Sequence, residues 1–156
     1  MKPEARSLKP AYIVALGLLA RRELSEVQVR QRLARRGYGP VDIDEAIDRL
    51  KSERASDDTR VAEAIARSQT SLKRRGKLRV RREIEAAGIA SPTASRTVND
   101  LFAEIDEAAL LESALAKRLR GRERVADRRE LQRLYRYLIS QGFEADRVSA
   151  RLRKLQ

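Results

Sequence analysis

Leu33-Ala-Arg-Arg-Gly37-Tyr38 is the segment that indicates the fold most directly, because its pattern returns twice further along the chain. The second copy is Ile84-Glu-Ala-Ala-Gly88-Ile89, and the third is Leu138-Ile-Ser-Gln-Gly142-Phe143. The glycines are separated by 51 and 54 residues. A pattern that recurs with a period of this size indicates a chain built from tandem structural repeats.

Apolar residues stand at the same offsets around each glycine. They occur eight and four residues before it, one residue after it, and again six, ten and thirteen residues after it. Spacings of three and four residues place side chains on one face of a helix, so each repeat reads as helix, glycine, helix. The positions are Val29, Leu33, Tyr38, Ile43, Ile47 and Leu50; Val80, Ile84, Ile89, Ala94, Val98 and Leu101; and Leu134, Leu138, Phe143, Val148, Leu152 and Leu155.

The glycines also predict where the first helix of each pair ends. Glycine adopts the left-handed conformation that commonly ends a helix, and an apolar residue after it folds back onto the last turn. Downstream, Gly39-Pro40 and Ser91-Pro92 each predict a capping residue followed by proline at the first helical position. The third repeat lacks this proline.

Upstream of each helix pair there is room for one more amphipathic helix, at about residues 11–22, 58–75 and 107–120. The start of the following helix is marked by Ser25-x-x-Gln28 in the first repeat and by Asp127-x-x-Glu130 in the third, both variants of the capping box. The apolar stripes of the added helices are Ala15, Leu18 and Leu19; Val61, Ala62 and Ile65; and Leu111, Leu115 and Leu119.

These patterns predict an all-α protein of three tandem three-helix repeats, at residues 1–54, 55–106 and 107–156. Units of this size bury little surface alone, so we expect them to pack through their neighbours into an elongated, curved, solenoid-like molecule. The alternative is a single irregular helical globule in which the repeat is accidental.

Composition excludes several kinds of chemistry. The chain has no Cys and no His, which rules out disulfides, Ser-His and Cys-His nucleophiles, and Cys/His metal sites. No glycine-rich phosphate loop is present, so we expect neither an enzyme nor a cofactor. The apolar run from Ala11 to Ala20 is too short to span a membrane. It follows Lys2, Arg6 and Lys9 as in a signal peptide, but no small-residue cleavage site follows, and we expect a cytoplasmic protein.

The formal charge is +12, and two dense basic runs carry much of it. Both lie between the predicted first and second helices of a repeat. A solvated surface is one reading, but crowded like charges favour an anionic partner, either phosphate or an acidic protein groove. The candidate partner-binding residues are Lys73, Arg74, Arg75, Lys77, Arg79, Arg81 and Arg82; Lys117, Arg118, Arg120, Arg122, Arg124, Arg128 and Arg129; and, on the last helix, Arg151, Arg153 and Lys154.

Two nucleic-acid-binding modes fit poorly. In helix-turn-helix proteins the last helix enters the major groove, but here the last helix of the first two repeats is acidic, and only that of the third is basic. Stacking on single strands needs exposed aromatic rings. Tyr135 and Tyr137 are two positions apart on one helix, so one of them is expected to be exposed. Backbone contact or protein contact remains.

Asp57 and Asp58 are adjacent acids at a predicted helix start. They could hold a metal ion, but neighbouring side chains on a helix diverge, whereas a capping role needs no further partner. The sequence therefore favours a cap and no metal.

Several segments together resemble the RecX regulatory family. They are Leu18-Leu-Ala-Arg-Arg-Glu-Leu-Ser25, Leu33-Ala-Arg-Arg-Gly37-Tyr38, Ala55-Ser-Asp-Asp-Thr-Arg-Val-Ala62, Arg82-Glu-Ile-Glu-Ala-Ala-Gly88-Ile89 and Leu138-Ile-Ser-Gln-Gly142-Phe143. The resemblance covers about residues 11–155, and within it the paired acids match Asp57 and Asp58.

The resemblance implies a non-catalytic protein that binds the RecA filament on DNA and suppresses strand exchange, ATP hydrolysis and co-protease activity, thereby modulating DNA repair and the SOS response. The expected partners are RecA and single- or double-stranded DNA through its phosphates, with no membrane and a monomeric protein. Two alternatives stay open. One is a helical repeat protein that binds the DNA or RNA backbone without acting on RecA, and the other is an adaptor for an acidic protein.

Overall fold

The computed structural model describes residues 9–156 and contains nine α-helices and no strand in that range. Residues 1–8 of the expected first repeat, with Lys2 and Arg6, lie outside the described part. The helices are α1 Ala11–Leu19, α2 Glu26–Arg35, α3 Pro40–Ser52, α4 Asp58–Ser71, α5 Lys77–Ala86, α6 Ser91–Glu104, α7 Glu107–Leu119, α8 Arg128–Ser140 and α9 Ala145–Arg153. The all-α fold of three three-helix repeats is confirmed.

The chain forms two compact units. The first runs through Val61 and includes Ala87–Ile89, and the second contains Ala62–Ala86 and Ala90–Gln156.

The core of the first unit lies between α1, α2 and α3, which pack on one another. Side chains at helical spacing supply it, because α2 and α3 are amphipathic. Of the predicted α1 stripe, Ala15 is fully buried, while Leu18 and Leu19 are half-buried and pack against the core; Ala11 is buried in addition. The buried members are Ala11, Ala15, Leu24, Val29, Leu33, Ile43, Ala46, Ile47 and Leu50.

In the second unit α5 packs on α6, and α8 packs on α7 and α9. Val80 and Ile84 of α5 are fully buried, as predicted. On α6 the predicted Ala94 and Val98 are buried, but the third buried apolar residue is Phe102, and the predicted Leu101 is half-buried. The third repeat buries its whole predicted pattern: Leu111, Leu115, Leu119, Leu134, Leu138, Phe143, Val148, Leu152 and Leu155.

The three repeat glycines adopt the predicted left-handed backbone, with φ of 90° at Gly37, 84° at Gly88 and 93° at Gly142. After α8, the Phe143 N–H donates to the Leu138 carbonyl at 3.2 Å, and the Gly142 N–H donates to that of Ile139 at 3.0 Å. This pair of bonds satisfies carbonyls that the end of a helix leaves free.

Three arginines end helices in the same left-handed conformation: Arg54 after α3, Arg74 after α4 and Arg120 after α7. The Arg75 N–H then returns to the Gln69 carbonyl at 3.0 Å, which stops α4 at Ser71. The helix predicted at 58–75 is therefore four residues too long, because side chains with a Cβ rarely occupy this region and an arginine does not signal a helix end. The helix predicted at 11–22 is three residues too long, and the one predicted at 107–120 agrees with α7 to within one residue.

The predicted helix starts are largely confirmed. Ser25 and Gln28 form a reciprocal capping box at α2. At α8 the Asp127 side chain accepts from the Glu130 N–H at 2.7 Å, but Glu130 accepts from the Ala126 N–H instead of closing on Asp127. Pro40 begins α3 after Gly39, as expected. The prediction for Ser91 is wrong by one residue, because Ala90 is the N-cap of α6 and Ser91 already lies inside the helix.

Each later glycine turn contacts the start of the second helix of the preceding repeat. In the first unit, the Ser25 hydroxyl donates to the Ala87 carbonyl, next to Gly88. In the second unit, the Gly76 N–H donates at 2.8 Å to the Gln141 carbonyl, next to Gly142. Ser25 and Gly76 both stand twelve residues before their own repeat glycine, so the same junction is used twice.

No helix within residues 9–156 combines the length and apolarity that a membrane span requires.

Candidate partner-binding surfaces

The first basic run occupies the turn between α4 and α5, residues 72–76, and the first half of α5. Three of its arginines are paired inside the unit. Glu83 Oε1 accepts from Arg75 Nη1 at 2.9 Å and from Arg79 Nε at 2.7 Å. Arg81 Nε donates to Glu85 Oε1 at 3.1 Å.

Arg75 and Arg79 hold the turn in place. The side chain of Arg75 is only 18% exposed and also donates to Gln69 Oε1 at 2.6 Å. Arg79 lies against Gly142, because a Cβ on that glycine would be 2.2 Å from the Arg79 nitrogen. These two residues are therefore integral to the fold of the second unit.

The other cations of this run are Lys73, Arg74, Lys77 and Arg82, and within the second unit as described they form no ion pair. Lys73, Arg74 and Arg82 are exposed. Two leucines accompany them: Leu72 is 74% exposed and Leu78 is 49% exposed. We call Leu72, Lys73, Arg74, Leu78 and Arg82 the leucine surface.

The second basic run extends from the end of α7 through the α7–α8 loop, residues 120–127, into α8. Arg122 is paired there with Glu130, and their hydrogen bond, together with that from the Ala126 N–H, lowers the pKa of Glu130 below its ordinary value. The Arg118 guanidinium lies 3.9 Å from the centre of the Tyr137 ring.

The remaining cations of this run are exposed, and the ion pairs of the second unit as described include none of them. We call them the loop cations: Lys117, Arg120, Arg124, Arg128 and Arg129. Such a cluster is suited to phosphate oxygens, which accept charge-assisted hydrogen bonds from arginine.

The cations of α9 divide in the same way. Arg151 donates to Glu112 of α7, with Nη2 to Oε2 at 3.1 Å. Arg153 and Lys154 are exposed at the end of the helix. A groove of about 520 Å³ is lined by Arg122, Arg151 and Lys154, but also by Glu112 and Glu123, so its charge is mixed.

Of the paired acids, Asp57 caps its own helix as predicted, whereas Asp58 is the first residue of α4 and bonds to the start of another helix. Asp57 Oδ1 accepts from the N–H groups of Thr59 at 2.9 Å and Arg60 at 3.3 Å at the start of α4. Asp58 Oδ1 accepts from the Glu26 N–H at 2.9 Å, at the start of α2 in the preceding repeat. No group of three or more acids suited to a metal ion occurs in the described residues.

Of the two tyrosines on α8, Tyr135 is exposed, while Tyr137 is half-buried against the core of the third repeat. One exposed ring was expected, and one is found.

Sequence reasoning missed three features of these surfaces. The spacing of four residues in Arg79/Glu83 and Arg81/Glu85 is a readable signal for ion pairs. The Arg75–Glu83 pair depends on the geometry of the turn and has no such signal. Leu72 and Leu78 lie outside the repeated apolar pattern, and this position in the sequence is itself a signal that they could be exposed.

Sequence models of one family match all three repeats. The model described as the first three-helix domain of RecX matches residues 11–50, the second matches residues 57–97, and the third matches residues 104–150. The chain belongs to the RecX family.

Individual RecX proteins align over most of their length. The chain is 35% identical over 136 residues to the regulatory protein RecX of Halorhodospira halophila, covering 87% of this chain and 82% of the relative. It is 35% identical over 134 residues to that of Chromohalobacter salexigens, covering 86% of this chain and 85% of the relative.

Solved RecX structures share the fold. A crystal structure of regulatory protein RecX superposes with a TM-score of 0.76 at 19% identity, covering 92% of this chain and 70% of the other. RecX from Lactobacillus salivarius gives a TM-score of 0.72 at 20% identity, covering 93% and 94%.

Proposed function

We propose that this protein is a non-enzymatic regulator that binds the RecA filament with its DNA and inhibits recombinase, ATPase and co-protease activity. It would thereby modulate DNA repair and the SOS response in the cytoplasm. The observation that carries the proposal is the match of RecX family models to all three repeats. Relatives that match most of the chain are named regulatory proteins.

The exposed cations support an anionic partner. The loop cations, with Arg153 and Lys154, offer side chains free to meet phosphates of the DNA inside a filament. The protein would act as a monomer without a cofactor, with repeats bounded near residues 54 and 106. Binding along an ordered filament explains how a chain without catalytic groups could alter several RecA activities at once.

The ATPase of RecA tests the proposal. With single-stranded DNA and ATP present, added protein is expected to reduce the rate of ATP hydrolysis. An ATPase rate that stays constant at every ratio contradicts the proposal.

A second candidate function is sequence-independent binding to the nucleic-acid backbone without action on RecA. The unpaired loop cations favour it. This candidate predicts binding to bare duplex DNA whose affinity falls with salt by a log–log slope of about −0.9 per phosphate contact, with no change when RecA is added.

A further inference from the structure

We propose that the leucine surface on the α4–α5 turn is a protein-docking site, which takes an acidic surface with an apolar recess rather than DNA phosphate. Under the proposed function, on which this inference rests, that surface belongs to a RecA subunit of the filament. The DNA would instead be met by the loop cations, so the two basic runs would have different partners.

The α4–α5 run retains less free positive charge than the α7–α8 run. Although the α4–α5 run is as basic in sequence as the α7–α8 run, Glu83 and Glu85 neutralise much of it through three ion pairs. The α7–α8 run has one such pair, between Arg122 and Glu130. A surface that keeps fewer free cations is the weaker phosphate binder, because affinity for DNA grows with the number of phosphates neutralised.

The leucine surface also exposes apolar side chains to solvent. At 74%, Leu72 is the most exposed of the large apolar side chains in residues 9–156, and Leu78 on the next helix is 49% exposed. Arg82 Nε donates to the Leu78 carbonyl at 3.4 Å, which keeps that guanidinium beside the leucine. Leucine side chains gain nothing from phosphate, whereas burying them in a protein recess removes apolar area from water.

Hydrogen bonds hold the backbone at the two leucines in place. The Leu72 N–H donates to the Ser68 carbonyl at 3.1 Å, and the Leu78 N–H donates to the Gly142 carbonyl at 3.1 Å. In the same turn, Arg75 donates hydrogen bonds to Gln69 and Glu83. Because this backbone is already ordered, docking of the two leucines costs little backbone conformational entropy.

The cations around the leucines define the partner's charge. Lys73, Arg74 and Arg82 are exposed, and within the second unit as described no carboxylate pairs with them. A rim of this sign favours an acidic surface and repels a basic one. The occupant is therefore an acidic protein surface with an apolar recess.

The test uses the double variant Leu72→Ser/Leu78→Ser in the full chain. Affinity is measured for a RecA filament formed on poly(dT) with a non-hydrolysable ATP analogue, and separately for a short bare DNA duplex. We expect filament affinity to fall by roughly ten- to a hundredfold, the range that corresponds to the loss of one fully buried leucine. Affinity for the bare duplex should change by less than about twofold, as is usual for surface substitutions away from a contact.

Val41→Ser is the matched control, because Val41 is also exposed, at 69%, but stands next to Asp42 on α3. It should leave both affinities unchanged, and circular dichroism should give the same helix content for all variants. The inference is overturned if the double variant binds the filament as well as wild type, or loses filament and duplex binding equally. If wild type itself does not bind the filament, the proposed function fails first and the inference falls with it.

Discussion

Gly142 and Gly37 have nearly the same backbone angles but different surroundings, with φ of 93° and 90°. A Cβ at Gly37 would meet open space, whereas one at Gly142 would lie 2.2 Å from the Arg79 nitrogen and 2.3 Å from its Cβ. The loss of stability on adding a side chain at Gly37 therefore comes from the left-handed backbone alone. At Gly142 a close contact with the preceding repeat adds to this loss.

We expect Gly37→Ala to lower the free energy of unfolding by about 1 kcal/mol, from the left-handed conformation alone. Gly142→Ala should lower it by about 3 kcal/mol, because overpacking against backbone is added to the same strain. Urea denaturation followed by circular dichroism measures both values. Equal losses for the two variants would show that the contact at Gly142 is not rigid.

Glu26 links two helices of the first unit through its carboxylate. Burial raises the pKa of Glu26, but hydrogen bonds from Arg30 at 3.0 Å and Lys51 at 3.2 Å outweigh it and bring the pKa below its ordinary value. Because the folded-state pKa is below that of the unfolded chain, the carboxylate stabilises the fold above the unfolded value. This contribution is lost as the pH falls through the folded-state pKa.

Glu26→Gln is accordingly expected to lower the free energy of unfolding by about 1 kcal/mol at neutral pH, as for an ion pair with two partners. Below about pH 4 the difference from wild type should shrink, since the wild-type carboxyl is then losing its charge. Urea titrations at several pH values provide the comparison. A difference that stays constant down to the lowest pH would contradict this role for the carboxylate.

Among the helices, the sequence predicts the position of an element correctly where the same local signal occurs in every repeat. Apolar spacing and glycine predicted the second and third helices of every repeat, and the Ser25 capping box predicted the start of α2. It failed where a residue acts against its own preference. Arg74 follows the end of α4 in a left-handed conformation that only glycine adopts readily, and the predicted helix runs four residues too far.

The ion pairs of α5 also differ in whether the sequence alone predicts them. Arg79 and Glu83 pair at a spacing of four residues on one helix, which a sequence reveals. The pairing of Arg75 with the same Glu83 needs the fold of the turn. Counting cations alone therefore overestimated the free charge of the α4–α5 run.

Reversing the charge at two positions on α5 distinguishes an arginine that stabilises the fold from one that is only exposed on the surface. Arg79→Glu should lower the free energy of unfolding by about 1 kcal/mol or more, because it replaces an ion pair by like charges four residues apart. Arg82→Glu should stay within about 0.5 kcal/mol of wild type, since Arg82 is exposed and makes no ion pair in the described second unit. Thermal unfolding reports both, and equal effects would contradict the assignment of Arg79 to the fold.

The loop cations yield a salt-dependent prediction for DNA binding. The triple variant Arg124→Gln/Arg128→Gln/Arg129→Gln should reduce the log–log salt slope for duplex DNA by about 2 to 3, if each arginine meets one phosphate. Fluorescence anisotropy at a series of salt concentrations measures the slope. Leu72→Ser/Leu78→Ser serves as the control and should keep the wild-type slope, while an unchanged slope in the arginine variant removes the loop from DNA contact.

Across the whole molecule, the same kind of junction occurs twice, once inside each unit. A donor twelve residues before one glycine, the Ser25 hydroxyl or the Gly76 N–H, reaches the carbonyl that precedes the next glycine. In the third repeat the corresponding position is Glu130, whose carboxylate is already held by Arg122 and the Ala126 N–H. The periodicity of the glycines made the repeats predictable, whereas this bond needs two repeats folded together.

The proposal that this protein binds the RecA filament rests on its family membership and on its exposed cations. The most direct measurement is co-sedimentation of the full chain with RecA filaments formed on single-stranded DNA, compared with the same DNA without RecA. Under the proposed function, the protein pellets with the filament and saturates at a fixed ratio to RecA. Equal recovery with and without RecA, or protein that stays in the supernatant with the filament, would contradict it.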